Sequence, residues 1–497
     1  MRSTNSMTDE KILAAVDPEG PAPEDGELRQ YYFLRKMQEF TAGRAKTLER
    51  KMTACVVTFG CQMNFNDSEK LTGILKTAGF DITENEDADF VIFNTCTVRE
   101  NANEHLYGRL GEVHHLKKSD PRKVVAICGC MVQEKSATEK IKKSYPFVNL
   151  IFGTYNLYCF PEYLYRCYHG EKHICELWDK SSEIVENMPV LRKYPWKSGV
   201  NIMFGCDNFC SYCIVPYVRG REKSREPKEI LREIEKLADD GVKEIMLLGQ
   251  NVNSYGKNLP EKTNFAELLA AAAQIPGIER IRFMTPHPKD FSDDVLYVIR
   301  DNPKIARHIH LPLQSGSDRI LQAMNRHYTK ESFLELVDHI RSIVPDAAIT
   351  TDIIIGFPGE TAADADETID VVKKAHFDNA FTFIYSPRVG TPAARMEQVP
   401  EEEKKQNFDR LLSVVQETAK EQAKKLQGRE FTALIEEMND QDTSFVTGRL
   451  SNNMIVHVKG DSSMIGRFYR VRLDDCRGFY YFGTALGEMT GPDVEVR

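Results

Sequence analysis

Residues 205–216, GCDNFCSYCIVP, carry three cysteines whose spacing indicates the chemistry of the protein. Cys206, Cys210 and Cys213 follow the pattern C-x3-C-x2-C. Three thiolates from one loop can each bind a separate iron of an iron–sulfur cube, whereas a structural zinc site needs four ligands, usually in C-x2-C pairs. The polar neighbours Asp207 and Asn208 argue against three buried core cysteines. The stretch therefore predicts an iron–sulfur cluster with one iron that lacks a protein ligand.

Apolar strands alternate with helices on both sides of this loop. Six strands between residues 199 and 425 each end in Gly, Pro or polar residues: NIMFGC (201–206), EIMLLGQN (244–251), IRFMTPHP (281–288), IHLPLQSG (309–316), ITTDIIIGFPGE (349–360) and FTFIYSPRVGTP (381–392). The pattern favours an incomplete (β/α)6 barrel over a doubly wound sheet. The chemistry of such barrels lies at the carboxyl ends of the strands.

The cysteine loop resembles that of the radical S-adenosylmethionine (SAM) superfamily, in which an aromatic residue precedes the last cysteine. The resemblance implies a [4Fe–4S] cluster whose open iron binds SAM, with an electron from the cluster cleaving SAM to a 5′-deoxyadenosyl radical. The cofactor then supplies the redox step and the protein positions it. His287, His308 and His310 at the same rim are expected to be structural. We expect SAM contacts from the cysteine loop and the strand ends, from Tyr212, Gln250, Asn251, Gln314, Ser315, Asp352, Gly356 and Arg388.

A second alternation precedes the barrel. Strands at 54–60, 89–96, 123–130 and 148–153, separated by helical segments, predict a doubly wound α/β domain over residues 53–170. Residues 171–198 look like a connector. Residues 1–52 are expected to form an N-terminal extension, flexible over 8–25 and helical over 26–51, where Leu28, Tyr31, Leu34 and Met37 have helical spacing.

Three further cysteines follow successive strands of this domain. Cys61, Cys96 and Cys130 each lie at the carboxyl end of a strand, and in an open α/β sheet those ends meet in one crevice. The spacing predicts a second cluster with an open iron, its negative charge stabilised by helices beginning near Asp67, Val98 and Gln133. Cys128 competes with Cys130, because strand alternation puts both on one face and spacing alone cannot choose between them.

Composition limits the function classes. Twelve cysteines in a chain with no signal peptide and no run of 18 apolar residues favour metal binding in a reducing cytoplasm over disulfides, and no membrane partner is expected. With 65 basic and 74 acidic residues the net charge is −9, which excludes a polycationic nucleic-acid binder.

Residues 428–490 consist of short alternating segments that predict a small antiparallel β-barrel. Residues 428–497 hold 8 basic and 11 acidic residues, a net charge of −3, so any RNA contact must come from a local cluster. The candidates for RNA binding are Arg449, Lys459, Arg467, Arg470, Arg472 and Arg477.

The sequences around Cys61, Cys96 and Cys130 resemble the methylthiotransferase family: TFGCQMNFNDSEK (58–70), FNTCTVRENANEH (93–105) and ICGCMVQE (127–134). The segments LLGQNVNSYG and YSPRVGTPAA in the barrel resemble the same family. The resemblance implies an auxiliary-cluster domain, a radical SAM barrel and a C-terminal RNA-binding TRAM domain, and it makes Cys130 the third auxiliary ligand. Gln62, Met63, Val98, Arg99 and Glu100 are similar to the branch that acts on N6-isopentenyladenosine at nucleotide 37 of tRNA, next to the anticodon.

The resemblance also implies a mechanism. One SAM methylates a sulfur on the auxiliary cluster, and a second SAM yields the radical that removes hydrogen from carbon 2 of an unstacked adenine that reaches both clusters. No protein acid or base is needed. A reducing electron donor and a partner that replaces the spent sulfur are expected. Two alternatives stay open: modification of a ribosomal-protein aspartate, and a non-catalytic, metal-stabilised RNA-binding module.

Overall fold

The computed structural model describes residues 9–24, 26–97, 100–179 and 186–489. The chain divides into two compact units, one of residues 1–193 and 214–221 and the other of residues 194–213 and 222–497. None of the helices in the described ranges combines the length and hydropathy of a membrane-spanning segment.

The first unit is built on a parallel six-stranded sheet. Its helices are α1 (Asp9–Ala15), α2 (Gly26–Leu48), α3 (Gln62–Thr77), α4 (Glu100–Ser119), α5 (Lys135–Ser144), α6 (Phe160–Tyr168) and α7 (Val215–Val218). Its strands are β1 (Thr53–Thr58), β2 (Asp81–Ile82), β3 (Phe90–Thr95), β4 (Val124–Gly129), β5 (Leu150–Phe152) and β6 (Ile174–Glu176), in the order β2-β1-β3-β4-β5-β6. Every residue of β3 and β4 is buried, which is why apolar residues run through these strands without alternation until Asn94 and Thr95 at the end of β3.

Both flanks of the first unit contribute more than their sequences suggest. In α2, Tyr31, Leu34 and Met37 are fully buried and the helix packs against α6, whereas Leu28 is exposed. Helix α1 lies in the stretch expected to be flexible and buries Ile12. Residues 171–198, expected to be a connector, contribute strand β6 to the edge of the sheet, where its three residues pair with β5.

The barrel of the second unit consists of two parallel three-stranded sheets. Its six strands are β7 (Lys197–Asn201), β10 (Glu244–Leu248), β11 (Arg280–Phe283), β12 (His308–His310), β13 (Ala348–Ile355) and β14 (Asn379–Ile384). Two short strands, β8 (Met203–Phe204) and β9 (Lys223–Ser224), form a separate antiparallel pair. The sheets have the orders β11-β10-β7 and β12-β13-β14, and an isolated parallel bridge joins Ile281 to Ile305. Strands β7 and β14 are therefore the open edges of an incomplete six-stranded barrel, as predicted.

Helices cover the outside of this barrel. They are α8 (Pro227–Asp239), α9 (Phe265–Ala273), α10 (Asp293–Asp301), α11 (Asp318–Ala323), α12 (Lys330–Ile343), α13 (Ala362–Ala375) and α14 (Glu401–Lys425). The first barrel strand begins earlier than the sequence suggests. β7 covers residues 197–201, and residues 203–204 instead pair antiparallel with β9.

The C-terminal strands close into a five-stranded barrel. They are β15 (Glu430–Met438), β16 (Phe445–Leu450), β17 (Ile455–Lys459), β18 (Phe468–Cys476) and β19 (Tyr480–Met489), in the order β15-β16-β17-β19-β18. Four pairings are antiparallel, but the barrel closes through a parallel pairing of β17 with β19. The prediction of a wholly antiparallel barrel is therefore wrong at this one pairing. Closure leaves no free sheet edge.

Two buried arginines of β11 attach this small barrel to the larger one. The guanidinium of Arg280 donates to the backbone carbonyls of Thr432 and Arg449, each at 2.9 Å. Arg282 donates to the carbonyl of Leu450 at 2.7 Å, and its Nε lies 3.1 Å from Glu244 Oε2. Because Glu244 compensates both cations, the charges are tolerated in a buried junction.

Candidate iron–sulfur and cofactor sites

The fold brings Cys61, Cys96 and Cys130 to one edge of the first unit's sheet. Cys96 and Cys130 directly follow β3 and β4, and Cys61 follows β1, which pairs with β3. The side chains of Cys61 and Cys96 are hydrogen-bonded to each other. Residues 35 and 34 positions apart in sequence thus become neighbours, as the strand-end argument predicts.

Glycines make this close approach possible. Gly60 has φ +143°, and a Cβ there would lie 2.6 Å from the Cβ of Cys96. Gly129 has φ +100°, and a Cβ there would lie 2.3 Å from the carbonyl oxygen of Thr95. Any side chain at either position would push the strand ends apart, since real contacts of Cβ atoms are longer than these distances.

Gly129 also separates Cys128 from Cys130. The Cys128 side chain lies in the apolar cluster that contains Leu150 and Phe152, whereas Cys130 packs with Ile214 and Val218 of the segment that follows the radical SAM loop. Strand alternation was expected to put both thiols on one face, but the positive φ of Gly129 ends the strand and breaks that alternation. The placement favours Cys130 as the thiol available to a cluster.

The thiols at this edge differ in acidity. A hydrogen bond with Cys96 lowers the pKa of Cys61 to about 5 against the opposing effect of burial, helped by the charge of Arg219 and by backbone N–H groups at the start of α3. Burial raises the pKa of Cys130. Helix α3 begins at Gln62 rather than near Asp67, so Cys61 itself is the N-cap residue. Val98, near which a second helix was expected to begin, and its neighbour Arg99 lie outside the described residues.

Sequence reasoning missed a buried arginine beside these thiols. Arg219 Nε donates to Cys130 Sγ at 3.1 Å, and Arg219 Nη2 donates to Asp67 Oδ2 at 3.1 Å and to Asn64 Oδ1 at 3.3 Å. Burial alone would lower the pKa of Arg219, but the adjacent Cys130 and Asp67 raise it above its ordinary value. The available signal was the basic run VRGRE directly after the cysteine loop.

The cysteines of the radical SAM loop lie in the second unit, between β8 and residue 214. The loop is tied to the end of α11: Ser211 N donates to the Met324 carbonyl, and Asn325 Nδ2 donates to the Asn208 and Phe209 carbonyls. Phe209 has φ +46°, a conformation that non-glycine residues rarely adopt. The loop is therefore held in shape by bonds from outside it.

Arg326 accompanies this triplet. Its Nη1 lies 3.6 Å from Cys210 Sγ, its Nε donates to the Tyr328 hydroxyl at 3.0 Å, and Nη2 donates to the Pro312 carbonyl at 3.1 Å.

Burial raises the pKa of Cys206 to about 11. Tyr212, a predicted SAM contact, packs against an apolar cluster that includes Met324, Phe357 and Tyr385.

In the described ranges, no three His, Cys, Asp or Glu side chains are gathered closely enough to hold a single metal ion. Thiolates that bind different irons of one cube need not converge in that way.

The predicted SAM contacts lie at strand ends of the barrel, but they are not equivalent. Asn251 is buried, with Oδ1 accepting from His287 N at 3.1 Å and Nδ2 donating to Asp290 at 2.7 Å. Ser315 is fully buried beside Thr368. Both side chains are engaged in bonds within the protein, which suits a positioning role.

Gln250, Asp352 and Arg388 remain partly exposed at the rim, whereas Gln314 is buried. Asp352 keeps 29% of its side chain exposed, 3.3 Å from His310 Nε2, and the side chain of Arg388 is half-buried, with Nη1 donating to Ser386 Oγ at 3.1 Å. Gln314 has φ +68°, and its N–H donates to the Asp352 carbonyl. Gln250 directly follows Gly249 at the end of β10.

Gly356 shows why the end of β13 needs glycine. It has φ +74°, and a Cβ there would lie 2.4 Å from Lys404 Cγ. Its N–H donates to the carboxylate of the buried Glu360. Burial raises the pKa of Glu360 to about 7.

Exposed aromatic side chains mark the open edge of the barrel and were not anticipated. Phe381 and Phe383 on β14 are 46% and 49% exposed. Their Cα partners on β13 are Asp352 and Ile354, so the rings share the face of the sheet that carries Asp352. The Phe381 ring lies 5.9 Å from that of His310.

The predicted RNA-binding arginines are paired with carboxylates. In the C-terminal barrel Arg467 contacts Glu488, Arg470 contacts Glu430 and Arg472 contacts Asp474. The remaining two pairs are Arg449 with Glu436 and Arg477 with Asp475. Lys459 is exposed on β17, near Asp442. The positive charge of these five arginines is therefore largely balanced by their carboxylate partners.

Three family models match the chain: the Radical SAM superfamily over residues 200–372, an uncharacterized protein family, UPF0004, over residues 53–153, and the TRAM domain over residues 424–486. Among solved structures, the radical S-adenosylmethionine methyltransferase TsrM from Kitasatospora setae, with cobalamin and a [4Fe-4S] cluster bound, matches with a TM-score of 0.50 and 13% identity. That match covers 69% of this chain and 77% of the other, and it supports the fold alone.

Curated relatives are much more similar. A tRNA-2-methylthio-N(6)-dimethylallyladenosine synthase from Lachnoclostridium phytofermentans is 54% identical over 443 residues, which cover 89% of this chain and 97% of the relative. A protein of the same name from Acetivibrio thermocellus is 49% identical over 460 residues, 92% of this chain and 96% of the relative. The predicted family is confirmed: the chain belongs to the tRNA-2-methylthio-N(6)-dimethylallyladenosine synthase family of radical SAM proteins.

Proposed function

We propose that this protein converts N6-isopentenyladenosine, next to the anticodon of tRNA, into its 2-methylthio derivative. The observation that carries the proposal is the 54% identity over 443 residues to a synthase named for that reaction. When bound, SAM and two [4Fe–4S] clusters supply the sulfur, its methyl group and the radical that opens the adenine C2–H bond. Ordinary side-chain acids and bases cannot open that bond, so the protein's residues bind and position the reactants.

Cys61, Cys96 and Cys130 are the proposed ligands of the auxiliary cluster. Their common sheet edge, the low pKa of Cys61 and the glycines that allow close approach all support this role. A thiolate rather than a thiol binds metal, so a cysteine already ionised at neutral pH suits a ligand. The carbonyl of Thr95, which accepts from Cys130 N at 2.9 Å, keeps the ends of β3 and β4 aligned.

Cys206, Cys210 and Cys213 are the proposed ligands of the SAM-cleaving cluster. The loop is fixed from outside by the Met324 carbonyl, which accepts from Ser211 N, and by Asn325, which donates to the Asn208 carbonyl, so the thiols would keep their positions around a bound cluster. Among the rim residues, Gln314, Asp352 and Arg388 are the best placed for SAM, because Asp352 and Arg388 are partly open and Gln314 adjoins Asp352.

The open edge of the barrel suits the substrate base. Adenine with an isopentenyl group is flat, apolar and branched, and Phe381 and Phe383 offer exposed rings on the face that carries Asp352. Aromatic rings stack on unpaired bases with useful affinity. We therefore place the prenylated adenine against β14.

The C-terminal barrel and a cytoplasmic setting complete the proposal. The TRAM barrel contacts tRNA outside the modified loop, and the cytoplasm supplies tRNA, an electron donor and a source of replacement sulfur. The carboxylate pairing of its arginines implies modest affinity from this barrel alone.

The test is an anaerobic reaction of the reconstituted full-length chain with SAM, a reductant and an anticodon stem-loop RNA that carries N6-isopentenyladenosine. We expect about eight irons per chain, from two four-iron cubes, and mass spectrometry showing one methylthio group per RNA. A ribosomal-protein peptide with its target aspartate is the second substrate. Methylthiolation of the peptide alone would establish the sibling activity, and zinc without deoxyadenosine formation would establish a non-catalytic module.

A further inference from the structure

We propose that Arg219 is a positioning residue of the auxiliary site that sets the reduction potential of its cluster, with Asp67 limiting the effect. The inference rests on the proposed assignment of Cys61, Cys96 and Cys130 as the ligands of that cluster. The Arg219 guanidinium has donors only and no lone pair to offer iron, so it can act on a cluster only through a hydrogen bond and its charge. Its chemistry is an N–H···S hydrogen bond combined with a buried positive charge.

The guanidinium of Arg219 contacts three polar side chains of the first unit. Arg219 Nε donates to Cys130 Sγ at 3.1 Å, while Nη2 reaches Asp67 Oδ2 at 3.1 Å. Nη2 also lies 3.3 Å from Asn64 Oδ1, and that same oxygen is 3.3 Å from Cys61 Sγ. One guanidinium therefore contacts one ligand sulfur directly, and its Nη2 shares the acceptor Asn64 Oδ1 with the thiol of Cys61. The Arg219 side chain is 7% exposed, so water screens its charge little.

Contacts other than those of the guanidinium also hold the segment that carries Arg219. Thr154 Oγ1 donates to the Val218 carbonyl at 3.0 Å, and Ile214 and Val218 pack against Cys130. A lysine, methionine or glutamine at 219 would leave these contacts in place. A buried arginine costs desolvation energy, so its presence beside a thiolate calls for an electrostatic reason.

That reason is the negative charge of a thiolate-bound cube. Hydrogen bonds to cluster sulfurs, net charge and solvent exposure are the factors that set iron–sulfur potentials. A donor on Cys130 Sγ and a buried cation both stabilise the more negative, reduced state, so they raise the potential. Asp67 has the opposite sign and lowers it. Arg219 and Asp67 should therefore have opposite effects, which a purely structural pair would not.

The experiment measures the potential of the auxiliary cluster alone. In the full-length chain with Cys206, Cys210 and Cys213 replaced by Ala, an EPR-monitored redox titration follows the remaining cluster. We expect Arg219→Gln to lower the midpoint potential of the auxiliary cluster. At the midpoint potential of the parent protein, the ratio of reduced to oxidised cluster should fall at least tenfold, which corresponds to about 59 mV for one electron. Arg219→Lys should restore part of the shift, and Asp67→Asn should raise the potential.

The control is Arg50→Gln, which removes the same charge before β1, at the opposite end of the sheet, where Arg50 pairs with Asp89. It should leave the potential unchanged. Equal potentials in the parent, Arg219→Gln and Asp67→Asn proteins would overturn the proposal. If Arg219→Gln fails to load iron, Asp67→Asn decides: a raised potential supports the proposal and an unchanged one rejects it. Absence of iron from the parent would refute the cysteine assignment itself, and the inference with it.

Discussion

Cys61 and Cys128 belong to the same small domain, yet their surroundings give them opposite properties. The hydrogen bond from Cys96 and the start of α3 make the Cys61 thiol acidic, whereas burial raises the pKa of Cys128 well above its ordinary value. Reactive and metal-binding cysteines are those that ionise readily. For Cys61 and Cys128, hydrogen bonding and burial rather than residue type thus set the acidity of the thiol, whereas the candidate ligand Cys130 has a pKa raised by burial.

The cysteine assignment predicts two different losses. Replacing Cys206, Cys210 or Cys213 with Ala should abolish SAM cleavage, measured as 5′-deoxyadenosine. Replacing Cys61, Cys96 or Cys130 should spare cleavage but stop methylthio transfer to RNA, because only the auxiliary site then lacks its cluster.

Cys128→Ala is the matched control and should keep both activities, since this thiol lies among apolar side chains. Product formation by a Cys130→Ala protein would contradict the ligand assignment.

Glu360 predicts a pH dependence of stability. Its pKa is raised to about 7 in the fold against an ordinary value of 4.5, so the native state holds a proton that the unfolded chain releases. Stability should therefore fall as pH rises from 4.5 to 7, by about 3 kcal/mol in all. Thermal unfolding of Glu360→Gln should lack this fall. Parallel pH profiles for the two proteins would show that Glu360 does not titrate in this range.

At the level of elements, the turns after the strands control the auxiliary site. Gly60 and Gly129 adopt positive φ values and lie against Cys96 and Thr95, so each turn is possible only without a side chain. The same holds for Gly356 beside Lys404 in the barrel. The ends of parallel strands thus gather functional groups only where the backbone of neighbouring turns can nearly touch.

Gly129→Ala should destabilise the first unit by roughly 2 kcal/mol or more, because left-handed backbone and the contact with Thr95 both resist a Cβ. Urea unfolding and iron content after reconstitution measure the two consequences.

Gly108→Ala in α4 is the control. No atom lies within 4 Å of a Cβ there, and helix propensity predicts a gain of about 0.5–1 kcal/mol. Equal stability of the two variants would show that the turn tolerates a side chain.

Strand β14 predicts substrate discrimination. Phe383→Ala should raise KM for prenylated stem-loop RNA roughly tenfold, since apolar pocket contacts are worth about 1–3 kcal/mol. SAM cleavage without RNA should stay unchanged. Tyr297→Ala on α10 removes an aromatic side chain of similar exposure and should have no effect. An unaltered KM for Phe383→Ala would place the prenyl group elsewhere.

On the scale of the whole molecule, the net negative charge and the paired arginines disfavour non-specific binding of RNA. The chain carries −9 overall, and five arginines of the C-terminal barrel are paired with carboxylates of that barrel. Arg280 and Arg282 hold this barrel on the larger one through backbone carbonyls. RNA affinity therefore depends on whether phosphate can replace the carboxylate partners.

Arg470→Glu with Arg472→Glu should weaken binding of the substrate tRNA and reduce its salt dependence by about one unit per lost phosphate contact. Asp474→Asn should act in the opposite direction, because it frees Arg472. Iron content should be the same in all three proteins. Unchanged affinity in the charge-reversed protein would exclude this surface from RNA binding.

The spacing of Cys206, Cys210 and Cys213, the strand–helix alternation and the small C-terminal barrel could all be predicted from local sequence, because hydrophobic period and ligand spacing are properties of short segments. Strand ends also predicted that Cys61, Cys96 and Cys130 would meet. Spacing alone could not separate Cys130 from Cys128, and the family resemblance pointed to Cys130. The tertiary structure puts the two thiols in different surroundings on either side of Gly129, which has positive φ. It alone brought Arg219 to Cys130 and carboxylates to the arginines of the C-terminal barrel. Hydrogen bonds and ion pairs between residues far apart in sequence leave no periodic signal, so they become visible only when the chain is folded.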